Sequence, residues 1–94
     1  MLQDRVTRRL AELAEQGADL SEASALMESL KRGRALPHYA RDHELRPPLG
    51  GYRSCIVGYM PDDTPILIGY RQSPRRILIV DADLHDQLYQ RLTF

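Results

Sequence analysis

The sequence predicts an α+β domain: an N-terminal helical hairpin packed on a three-stranded antiparallel β-meander, with a short C-terminal helix. Three observations carry this prediction. Apolar residues keep a helical spacing as far as Leu30, the period changes to that of strands after Tyr52, and Leu84, Leu88 and Leu92 then recur every four residues. Ninety-four residues suffice for one modest core, so residues 1–94 are expected to form a single domain.

Leu2, Val6, Leu10 and Leu13 share one helical stripe, with Arg5, Arg8, Arg9, Glu12 and Glu15 opposite, which predicts an amphipathic helix over about residues 2–16 that Gly17 ends. Asp19 and Glu22 have capping-box spacing, so a second helix is expected to begin near Leu20. Its stripe is Ala23, Leu26, Met27 and Leu30, and Lys31-Arg32-Gly33 stops it. Residues 34–51 contain Pro37, Pro47, Pro48, Gly50 and Gly51 and are expected to be a connecting loop. Loops of that length in a small domain usually carry function.

Strands are predicted over about 52–60, 66–71 and 76–80, joined by turns too short for crossovers. The second and third are nearly continuous in apolar residues, so both sheet faces should be covered. The two N-terminal helices would take one face. A helix from Asp83 to Leu92, capped by Asp83 and Asp86, would take the other.

No apolar run is long enough to cross a bilayer, and the N-terminal residues lack the apolar region of a secretory signal, so a cytoplasmic protein without a membrane partner is expected. Thirteen basic and thirteen acidic residues cancel. The segment from Lys31 to Arg53 is nonetheless locally basic, with Lys31, Arg32, Arg34, Arg41, Arg46 and Arg53 against Asp42 and Glu44. Such a segment suits phosphate, or simply forms a solvated face. Cys55 lies within a predicted strand and reads as a small core residue. His38 and His43 have no cysteine or third histidine near them in sequence, so neither a metal site nor a cofactor is expected.

The ordered motifs Leu36-Pro37, Asp42-His43-Glu44-Leu45, Gly51-Tyr52-Arg53, Ile66 to Tyr70 and His85-Asp86-Gln87-Leu88-Tyr89 resemble the RelE/ParE superfamily of toxins, in its YafQ-like branch, over roughly residues 26–89. The resemblance implies a RelE/ParE-like fold and a ribosome-dependent, metal-free messenger RNA endoribonuclease paired with an antitoxin. In that chemistry a base removes the ribose 2′-hydroxyl proton, an acid protonates the departing 5′-oxygen, and cations steady the charge between them. It points to His43 and His85 as acid–base candidates and to Arg53 as a phosphate holder. Tyr89 stands at a terminal aromatic position, and Arg41, Arg46, Lys31 and Arg34 become substrate-binding candidates.

This chain also departs from the pattern. Ile56 stands where the branch has a strand histidine, Asp81 where it has an arginine, and the strand that usually precedes the hairpin is missing. Losing one preorganised cation costs on the order of 3 kcal/mol of transition-state stabilisation. A second function is therefore a catalytically inactive toxin-fold protein that binds and inhibits a protein target. A third is an assembly in which a free sheet edge pairs with another copy or an antitoxin peptide.

Overall fold

Helix α1, Asp4–Glu15, forms where the stripe of Val6, Leu10 and Leu13 can be buried. It ends as the sequence requires: Gly17 has φ +94°, its amide bonds to the carbonyl of Ala14, and the amide of Ala18 reaches Leu13. This is a Schellman closure, which needs a left-handed residue at that position. Helix α2 spans Ala23–Lys31 and buries Ala23, Leu26 and Leu30. The computed structural model describes residues 4–45, 51–84 and Leu88. The strand expected to be missing before the hairpin falls on residues 1–3, outside the described residues.

The predicted capping box does not form. Glu22 takes the N-cap position without a side-chain hydrogen bond, and the helix starts three residues later than expected. The Asp19 carboxylate instead accepts from the amide and hydroxyl of Ser21, at 3.1 and 2.8 Å. Its backbone is tied to the sheet: Asp19 and Tyr59 exchange two amide–carbonyl bonds of 2.8 and 3.2 Å. A tertiary contact has overridden the local cap.

The sheet has four antiparallel strands in chain order: β1 (His43–Glu44), β2 (Tyr52–Tyr59), β3 (Pro65–Gln72) and β4 (Ile77–Leu84). The meander is as predicted. Two corrections apply to its flanks. The segment read as loop holds a 3-10 turn at His38–Ala40 and the short edge strand β1. Strand β4 runs on to Leu84, so Asp83 is a strand residue and not a helix cap. Leu88 is helical and fully buried against Ile56 and Leu67, on the sheet face away from α1 and α2.

Helix α1 packs along β4, and α2 along β2. Their stripes merge with Cys55, Val57, Ile66, Ile68, Tyr70, Ile77, Ile79 and Ala82 into the main core. Two bulges keep this face apolar, because Val57 and Val80 are each an extra residue in the register. The carbonyl of bulged Val80 accepts from Arg5 Nε at 3.0 Å, so a side chain of α1 caps the edge of β4. Beside it, Arg9 pairs with Asp83 at 2.9 Å, and the Asp83 carboxylate also accepts the amide of Leu84. That carboxylate is 1% exposed. A buried carboxylate persists only when paired in this way. No helix among the described residues is long and apolar enough to cross a membrane.

The linker of the hairpin lies directly on β2 at Gly58. A Cβ there would stand 2.5 Å from the Asp19 carbonyl oxygen and 2.6 Å from Leu20 Cδ2. Gly58→Ala is expected to destabilise the domain by about 1–3 kcal/mol, read as a lower urea midpoint with unchanged slope. An unchanged midpoint would mean that the linker does not rest on β2.

Candidate functional site

The positions of the candidate residues follow from strand register. Residues paired across an antiparallel sheet point to the same face, and neighbours along a strand point to opposite faces. Glu44 pairs with Arg53, and Arg53 with Tyr70, which belongs to the helix-facing core. His43 pairs with Ser54, Ser54 with Gly69, and Gly69 with Asp81. That second row shares a face with Ile56, Leu67 and Leu88. His43 and Arg53 therefore leave the sheet on opposite sides.

On the helix side, Arg53 Nε donates to the Tyr70 hydroxyl at 3.2 Å and to the Asp42 carboxylate at 3.3 Å, and the Tyr70 hydroxyl donates to the same carboxylate oxygen. The hydrogen bond with Tyr70 comes first among the causes that raise the Arg53 pKa. Burial, with the Asp42 carboxylate, pushes the Tyr70 phenol well above its ordinary value. Buried beneath this triad, the Cys55 thiol is pushed up to about 12, first by desolvation and then by Asp42. At neutral pH it is a thiol in the core, as its strand position suggests, and not a nucleophile.

On the far side, His43 is exposed and its Nδ1 lies 2.7 Å from the carbonyl oxygen of Arg41. A carbonyl only accepts, so Nδ1 must donate, and in the neutral ring the lone pair sits on Nε2. Arg41 is held with φ 51° at the end of the 3-10 turn, which aims its carbonyl back at the ring. The arrangement provides an exposed imidazole in a defined tautomer, able to take a proton at Nε2. Further along the same row, the Ser54 hydroxyl is buried with no hydrogen-bond partner, Gly69 offers no side chain, and Asp81 is 2% exposed and accepts the amide of Ala82.

Of the other candidates, Lys31, Arg34 and Arg41 are exposed. Arg41 and His38 line an open hollow of about 550 Å³ along residues 35–42. Arg53 opens instead on a separate hollow with Glu44, Gly51 and Gln72. His85, Tyr89 and Arg46 lie outside the described residues. Among the described residues no group of three His, Cys, Asp or Glu side chains converges as metal ligands.

Sequence reasoning missed Tyr70, because nothing along the chain shows that it will face Arg53. It also missed the Arg9–Asp83 pair, although two carboxylates at alternate positions in ILIVDADL signal one polar row within an apolar strand.

Tyr70→Phe removes the hydroxyl that links Asp42 to Arg53, and is expected to cost about 1–2 kcal/mol at neutral pH. The phenol and the Cys55 thiol both hold their protons more tightly in the folded chain than at their ordinary values of 10.0 and 9.0. Their contribution is complete below those values and is lost as pH rises through the raised folded ones. Urea titrations from neutral to alkaline pH should show stability falling with a gentler slope in Tyr70→Phe; identical slopes would remove Tyr70 as a source of the effect.

No protein-family model and no curated protein matches the sequence. Solved structures do match. A copper-bound mutant toxin from Helicobacter pylori superposes with a TM-score of 0.74 at 20% identity, covering 93% of each chain. YafQ from Escherichia coli superposes at 0.73 and 19% identity, covering 94% of this chain and 93% of its own. YafQ in the E. coli DinJ–YafQ toxin–antitoxin complex superposes at 0.73 and 20%, covering 94% and 92%. The chain has a RelE/YafQ-like toxin fold over nearly its whole length.

Proposed function

We propose that this chain is the toxin of a toxin–antitoxin pair and that it cleaves messenger RNA on the ribosome. The observation that carries the reading is His43: an exposed imidazole, its Nδ1 fixed on the Arg41 carbonyl, in a chain that superposes on YafQ over 94% of its length. Its Nε2 would remove the proton of a ribose 2′-hydroxyl, whose oxygen then attacks the adjacent phosphorus. The departing 5′-oxygen needs an acid, a role that would fall to His85, the other acid–base candidate the resemblance points to. Arg41, Arg34 and Lys31, exposed along the basic segment, would hold RNA phosphates. Arg53 is engaged by Asp42 and Tyr70, so its part is to brace the segment that carries His43. By the same reading a small antitoxin protein is the partner, since YafQ is found with DinJ.

A second reading has its own support. On the face that carries His43, Ile56 stands where the resemblance calls for a strand histidine and packs with Leu67 and Leu88 in an apolar cluster, so that position supplies no acid–base group. This favours a toxin-fold protein that acts by binding a protein target rather than by cutting RNA.

Expression without a partner separates the two. The nuclease reading predicts growth arrest with message cuts at the ribosomal A site, and a loss of cleavage of about 10²-fold or more in His43→Ala. Arrest without cuts would select the binding reading. Unaffected growth at high expression would remove both.

A further inference from the structure

Strand β2 is paired along its outer edge only at its two ends. At one end β1 meets Arg53 and Ser54; at the other Asp19 meets Tyr59. Between them, the edge from Cys55 to Gly58 has no strand partner among the described residues. A hollow of about 70 Å³ opens there, with the buried side chains of Leu26 and Val57 at its base and Asp19, Glu22, Tyr39 and Tyr59 around it.

The rim is assembled from three parts of the chain. Tyr39 and Tyr59, from the 3-10 turn and the end of β2, are 50% and 40% exposed and are the large hydrophobic side chains that the described residues leave open to solvent. The Tyr39 hydroxyl donates to Glu22 at 3.2 Å, which fixes its ring beside the hollow. The backbone of Asp19 is tied to that of Tyr59, and its carboxylate is held below the usual range, first by the Ser21 hydroxyl and then by the Ser21 amide. Among the described residues no lysine or arginine lines the hollow.

These features select the occupant. Two carboxylates without a cation repel phosphate, so the hollow is no RNA site. Its size is far below the roughly 300–1,000 Å³ of pockets for small molecules, which leaves room for one side-chain head group. Two phenol rings beside an apolar base favour a cation with an apolar stem, and a planar guanidinium can stack on such rings where an ammonium does not. We propose that this hollow receives an arginine side chain from a protein partner. The proposal stands whether or not the chain cuts RNA, because it draws on neither His43 nor the cations of the basic segment.

The test is a titration of the full isotope-labelled chain, followed by amide NMR, with N-acetyl-arginine amide and with its uncharged counterpart N-acetyl-citrulline amide. Saturable shifts confined to Glu22, Tyr39 and residues 56–59 are expected with arginine, with binding about fivefold or more weaker for citrulline. Glu22→Gln and Tyr39→Leu, both at exposed positions, should each weaken arginine binding about threefold or more while leaving the remaining spectrum unchanged. Equal binding of the two ligands, shifts elsewhere on the surface, or no saturation by about 100 mM would overturn the proposal.

Discussion

The register of β1 on β2 decides which side of the sheet each candidate site residue faces. Two residues of edge strand suffice to place Glu44 opposite Arg53 and His43 opposite Ser54. Because successive side chains of a strand alternate, this register sends the exposed imidazole to one side of the sheet and the guanidinium to the other. A slip of one residue would pair His43 with Arg53 and put both on one side. The triad of Asp42, Arg53 and Tyr70 guards against that slip, since Asp42 lies next to His43 in the chain and is anchored to β2 and β3 together.

The division of faces also explains how a neutral chain separates its charge. The helix side uses ionic groups as internal ties, with Arg53 on Asp42, while at the β4 edge Arg5 caps Val80 and Arg9 closes on Asp83. Each of these side chains commits at least one nitrogen to an internal partner. Exposed cations lie along residues 31–41, close in sequence to His43, and also at Arg5, Arg8, Arg71, Arg75 and Arg76, whereas the hollow by Tyr39 and Tyr59 is acidic. A surface with separate basic and acidic areas needs no net charge to offer complementary fields to unlike partners.

Much of this was legible in the sequence. The helical stripes, the glycine stop at Gly17 and the three long strands follow from period and turn chemistry, and so does the covering of both sheet faces. What was hidden depends on contacts distant in sequence. The bulges at Val57 and Val80 sit inside unbroken apolar runs where one more residue leaves no trace in the pattern. Asp83 has the form of a helix cap but is retained in β4 by Arg9, 74 positions away. Asp19 has cap spacing too, yet its backbone is claimed by Tyr59. Strand β1 is too short to show any period. The candidate site was thus read residue by residue, but the separation of His43 from Arg53 was not, because it depends on a pairing that only the folded chain displays.

The most direct test of this account is the cross-strand contact of β1 on β2 in solution. The Leu45 amide bonds to the Tyr52 carbonyl, so Glu44 and Arg53 form the close, non-hydrogen-bonded pair of the ladder. The account predicts a strong NOE between the α-protons of Glu44 and Arg53. An NOE between those of His43 and Arg53 in its place would put both side chains on one face and contradict it.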